Sequence, residues 1–177
     1  MSDAAVVVEN EFDDDLVDQA TAAGRALPKV RRKWVNADVD GSHLSGVVWG
    51  RGRPEQVLLH GAGESARRFD HLGMAGQRPF VALDLPGHGQ SSWRKDRRYQ
   101  PRLIAKPVAV AIRSFAPGPQ TLVGTGLGGL TGIEITARYP LQVNKLILSW
   151  PVVKHPANRR RFSTTRAWRR SSNRSAS

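Results

Sequence analysis

The chain contains no cysteine. That absence excludes disulfides, thiolate catalysis and cysteine-ligated zinc or iron–sulfur sites, and leaves the compartment open. No apolar run approaches the roughly eighteen residues of a membrane span. The opening stretch, MSDAAVVVENEFDDDLVD, lacks a basic region followed by an apolar core, so it does not read as a secretory signal. A cytoplasmic protein with no membrane association is the default expectation. Acidic residues are missing from one end. Pro151 to Ser177 holds eight basic residues and no acid, whereas residues 1–26 hold seven acids against Arg25. The formal net charge of +12 therefore owes much to a tail, and does not define a basic face on the core.

What is present suffices for one domain. A chain of 177 residues, 40% of them hydrophobic, can bury a real core but not two. Residues 1–33 read as an extension, acidic and then basic. Within it VDQATAAGRAL has the composition of a short helix that Pro28 would end, and KVRRK reads as an exposed basic cluster. From Trp34 the pattern changes. WVNADVDG and HLSGVVWG read as two strands joined around Asp40-Gly41, a good hairpin signal. QVLLHG is a buried strand running into the glycine loop GAGES, and ARRFDHLGMA follows with helical character. FVALDLPGHGQSS is a second buried strand with its loop. PRLIAKPVAVAIRSFA has helical spacing, and Pro107 in its middle is expected to kink or split it. TLVGTG is a third buried strand, LGGLTGIEITARYP a helix stopped by Pro140, and NKLILSW a fourth buried strand. Apolar strands alternating with helices indicate an α/β fold: a mostly parallel sheet with an N-terminal antiparallel hairpin and helices on both faces. After Trp150 the apolar pattern stops. Residues 151–177 read as a disordered Arg/Ser-rich tail.

The stretch LVGTGLGGL carries the most chemistry. A Walker-type phosphate loop needs a lysine that is not there. Gly124, Gly126 and Gly129 match Gly-x-Gly-x-x-Gly between a strand and a helix, the pattern of a dinucleotide site. That site would use the first strand of its unit and an acid at the end of the next. Here two βα units come first, and the next strand ends Ser149-Trp150 without an acid. No cofactor is expected on these grounds.

Three stretches carry more together than any one alone. Leu58-Leu59-His60-Gly61-Ala62-Gly63 follows one strand. Asp84-Leu85-Pro86-Gly87-His88-Gly89-Gln90-Ser91 follows the next. Val123-Gly124-Thr125-Gly126-Leu127-Gly128-Gly129 follows the third. In this order and spacing they resemble the α/β-hydrolase fold family, over roughly Trp34 to Trp150. The expected fold is therefore an incomplete α/β-hydrolase-like sheet, with residues 34–150 matching about the first half of such a domain. The change of composition at residue 150 points to a truncated or out-of-frame end.

The resemblance implies a hydrolase of small ester- or amide-type substrates. It implies that His60-Gly61 is the family's His-Gly loop, and that Ala62 would offer its N–H to an oxyanion. The family's nucleophile elbow is Gly-x-Ser-x-Gly. Here that turn is Gly124-Thr125-Gly126-Leu127-Gly128. The nucleophile position is Gly126, and Leu127 would supply the second oxyanion N–H. Glycine keeps such a turn readily but has no atom able to attack. Thr125 is adjacent, on a side chain expected to project away from the tip. Ser65 and Ser91 read as capping or turn residues.

The family's acid and histidine follow the nucleophile in chain order. Here only Glu134 and His155 follow, the first read as a solvated helix residue and the second as part of the tail. No intact triad is found. His60 and His88 read as structural members of their loops, Asp84 as an acceptor for loop amides, and His43 and His71 as histidines without a partner suggested by spacing. Zinc at His60, His88 and Asp84 has no ligand-spacing motif behind it, so no metal is expected.

NKLILSW would be an uncovered apolar edge strand, which invites self-association. The tail, with Phe162 and Trp168 among its arginines, could meet nucleic acid through phosphate neutralisation and stacking, a weaker expectation. Three readings stay open: an esterase-like hydrolase, a catalytically impaired member that still binds a small ligand, and a basic-tailed nucleic-acid-binding protein.

Overall fold

The computed structural model of the protein describes residues 7–9, 14–22, 24, 26–37, 41–76 and 78–149. The tail, with His155, Phe162 and Trp168, lies outside the described residues. Strand β1 is Val7–Glu9, β2 Val30–Asn36, β3 His43–Trp49, β4 Gln56–Leu59, β5 Phe80–Leu83, β6 Gln120–Thr125 and β7 Val143–Ser149. Helix α1 is Asp14–Ala22, α2 Asp70–Ala75, α3 Pro101–Phe115 and α4 Gly126–Arg138. One sheet holds all seven strands in the order β1-β2-β3-β5-β4-β6-β7. β1, β2, β3 and β5 pair antiparallel in turn; β5, β4, β6 and β7 run parallel. The expected α/β architecture, with its hairpin on one side, is the one found.

The buried strands owe their continuous apolar runs to cover on both faces. Along β5, Val81 and Leu83 join a core with α3 and α4, through Val108, Ile112 and Ile135. Phe80 and Ala82 point the other way, into a cluster with Trp49, Leu58 and Ala66, against which Phe69 and Met74 pack. Each fully buried Val, Leu or Phe side chain stabilises the fold by about 1.5–3 kcal/mol, so both layers are needed to hold the sheet.

Three expectations need correction. The first helix ends at Ala22, well before Pro28, because Gly24 follows with a φ of +61°, a left-handed turn that stops a helix. Helix α3 runs unbroken through Pro107. Ile104, Ala105, Val108 and Ala109 on either side of the proline are all buried, and this packing outweighs one lost backbone hydrogen bond. Third, KVRRK is not an exposed cluster. Its last four residues open β2, Val30 is fully buried, and Arg32 is only 3% exposed. The Arg32 guanidinium donates to Asp84 Oδ2 at 2.8 Å and to Ser45 Oγ at 2.6 Å.

Among the described residues β7 lies at the end of the sheet and pairs only with β6. NKLILSW is thus not the buried strand its apolar run suggests: no residue of β7 is buried, and Ile147 and Leu148 on it are 39% and 38% exposed, because no further strand pairs with its outer edge among the described residues. Among the described residues no helix is long and apolar enough to cross a membrane.

Candidate active site

In a parallel sheet the loops that follow the strands gather at one edge. The loops after β4, β5 and β6 do so here, and main-chain bonds tie them together. Gly128 N donates to His60 O at 2.9 Å, joining the turn after β6 to the loop after β4. Leu85 N donates to His60 Nε2 at 3.0 Å, and Gly63 N to His88 Nε2 at 3.2 Å, joining the loops after β4 and β5.

The turn between β6 and α4 pivots on Gly126, whose φ is +46°. The glycines around it have a different reason to be glycine. A Cβ on Gly124 would stand 2.6 Å from Gly129 Cα, and one on Gly128 would strike the Leu59 carbonyl. Both conflicts are with backbone, which cannot move aside. A Cβ on Gly126 would meet only Gly61 Cα, at an ordinary 3.4 Å. The framing glycines are thus imposed by packing. The central one is favoured by its left-handed backbone alone, where a side chain costs about 1–2 kcal/mol.

These loops were recognisable from their glycines, and comparison with known proteins gives them a lineage. A family model described as "Alpha/beta hydrolase family" matches residues 56–176. The chain belongs to the alpha/beta hydrolase family. Among curated relatives, the esterase Rv0045c of Mycobacterium tuberculosis is 38% identical over 135 residues, covering 75% of this chain and 43% of the esterase. A pimeloyl-[acyl-carrier protein] methyl ester esterase of Neisseria meningitidis is 34% identical over 94 residues, covering 52% and 34% of the two chains. The crystal structure of the M. tuberculosis esterase superposes with a TM-score of 0.67 at 37% identity, covering 78% of this chain and 49% of that one. The chain spans less than half the length of these relatives.

In this alpha/beta hydrolase the two loop histidines are fully engaged. His60 is buried; its Nδ1–H donates to Gly61 O at 2.7 Å while Nε2 accepts from Leu85. Burial holds the ring below its ordinary pKa of 6.5, and the neighbouring His88 adds to the effect, against the bond to Gly61. His88 sits 5.1 Å from it, with Nδ1 on Pro86 O at 3.1 Å. Each ring has both nitrogens committed to backbone, which suits a positioning part rather than a general base. Asp84 accepts from Ala66 N at 2.7 Å and Gln90 N at 3.1 Å, as well as from Arg32. Gly87 and Gly89 stand in the turn that follows, against the Tyr99 ring and the Asp84 carboxylate. Ser91 Oγ donates to Asp84 O and accepts from Ser45 N, while Ser65 makes no side-chain cap. Glu134 forms an ion pair with Arg138 at 2.8 Å on α4, and His71 is exposed. Among the described residues no cluster of three His, Asp or Glu could hold a metal.

Ala62 is exposed in the turn after Gly61, and Leu127 is the second residue of α4, where a helix leaves its amides without internal partners. Thr125 Oγ1 is buried and meets no hydrogen-bonding partner among the described residues. One feature of the loop was missed in the sequence. Glu64 folds back so that its Oε2 accepts from Gly61 N at 2.8 Å, and its Oε1 pairs with Arg68 at 3.2 Å. A carboxylate three residues after Gly61 was the available signal, since it can close such a loop onto the amide.

Proposed function

We propose that this chain is a catalytically impaired member of an ester-hydrolysing lineage, which retains the backbone cradle for a small ester- or amide-type ligand but not the turnover. The observation behind this reading is Gly126. It stands at φ +46° in a turn whose flanking glycines are dictated by backbone contacts, so the elbow keeps its shape without an atom to attack. The amides of Ala62 and Leu127 are the candidate oxyanion donors. Glu64 supports the impaired reading, because its carboxylate takes the Gly61 amide and sets a negative charge beside the place where an oxyanion would form. The small-ester class comes from the relatives, which are esterases by name.

The test is hydrolysis of p-nitrophenyl butyrate by the full chain and by Gly126→Ser. Serine fits the space at Gly126, and the variant should fold with a modest loss of stability. Both proteins are expected to hydrolyse the ester at the rate of buffer, because among the described residues no histidine is placed to take the serine proton. Robust turnover by either one overturns the proposal.

A second proposal concerns assembly. Among the described residues the outer edge of β7 is unpaired, and with Ile147 and Leu148 exposed it offers a surface for pairing with another copy of the chain.

A further inference from the structure

A cavity of about 190 Å³ opens at the same edge of the sheet, beside the start of β3 and the loop after β5. β3 and β6 are three positions apart in the strand order. At the usual strand spacing that is about 14 Å, so the cavity is separate from the turn at Gly126. Its apolar lining comes from Ala37, Leu44, Pro86 and Pro107. Its polar lining includes His43, Ser92 and Lys95.

The chemistry of the polar side follows from its hydrogen bonds. Ser92 Oγ accepts the His43 main-chain N–H at 3.1 Å and lies 2.9 Å from His43 Nδ1. The Ser92 oxygen keeps a second lone pair as well as its proton, so this contact serves either tautomer of the ring. Beside a bound carboxylate the ring can therefore place an N–H on Nε2, so His43 can bring a donor to the cavity. Arg94 grips Asp96 through two bonds, at 3.0 and 2.8 Å. Together with the Arg98 amide this holds the Asp96 carboxyl down at about 2, so the two charges cancel. Lys95 is exposed and has no such partner among the described residues. The lining therefore combines one uncompensated positive charge, one N–H donor and an apolar floor.

We propose that this cavity binds a short-chain monocarboxylate, its carboxylate held by Lys95 and His43 and its alkyl chain lying on Leu44, Pro86 and Pro107. A single net charge favours a monoanion over a phosphate dianion. Benzene fills a cavity of about 150 Å³, so a chain of about six carbons suits this one. None of these residues belongs to the elbow, and the proposal does not depend on the reading of Gly126.

The probe is hexanoate, titrated into the full chain and followed by the amide resonances of Leu44 and Ser92. A saturable shift at both is expected, with none from hexylammonium. Lys95→Ala removes an exposed side chain and should leave the fold intact while weakening hexanoate binding about tenfold; Lys95→Glu should abolish it. The proposal is overturned if hexanoate moves neither resonance, if it binds Lys95→Ala as well as the parent, if inorganic phosphate binds more tightly, or if the shifts fall at Gly126 and Leu127 instead.

Discussion

Replacing Arg32 by methionine should be among the most damaging single changes in this protein. Arg32 and Asp84 are 3% and 1% exposed and meet at 2.8 Å. Breaking one half of such a buried pair leaves a charge without compensation, which typically costs about 3–5 kcal/mol. Asp84 keeps the amides of Ala66 and Gln90 in the variant, so the lower end, about 3 kcal/mol, is expected. For a chain of this size each kcal/mol lowers the melting temperature by about 2–4 °C, giving a fall of about 6–12 °C. Asp84→Asn should cost at least as much, because the buried guanidinium then loses the carboxylate that balances its charge. The double variant is the sharper test. With both charges gone it should lose less than the two single losses together, by about 2 kcal/mol, a typical coupling for residues in contact. Thermal and urea unfolding followed by circular dichroism would measure all three. A loss under about 1 kcal/mol for Arg32→Met, or full additivity in the double variant, would refute the reasoning.

Two further outcomes concern pH and assembly. His60 is held neutral below its ordinary 6.5, so the unfolded chain binds more protons than the native one once the pH falls under that value. Stability should therefore be full above pH 6.5 and decline as the pH drops toward the lowered native pKa; melting temperatures that stay level from pH 7.5 to 5.5 would count against this. Ile147→Lys places a second charge on β7, whose own charged residue is Lys145, and should reduce concentration-dependent association in sedimentation velocity. If the parent chain sediments as a monomer at every concentration, edge pairing does not occur.

The three glycine loops were legible because their signal is local. Close backbone approach at Gly124 and Gly128 and a left-handed turn at Gly126 leave only glycine as a comfortable choice, whatever the rest of the chain does. Strands β4 and β5 were legible because burial on both faces writes an unbroken apolar run. What stayed hidden depends on register across the sheet. Arg32 reads as one more base in KVRRK until β2, β3 and β5 are aligned and Asp84, 52 residues away, comes beneath it. His43 gains Ser92 in the same manner, across 49 residues. Pro107 misled for a related reason. Its local cost is real, but the tertiary packing that repays it has no mark in the neighbouring residues.

The ion pair between Arg32 and Asp84 also bears on how the protein may be divided. The family match starts at residue 56, and a fragment cut there would begin neatly at β4. Such a fragment would retain Asp84, directly after β5, and lose the guanidinium that accompanies it, along with the three strands β1, β2 and β3. The smallest piece expected to fold by itself therefore reaches back to Val30, well upstream of the boundary that common ancestry makes visible.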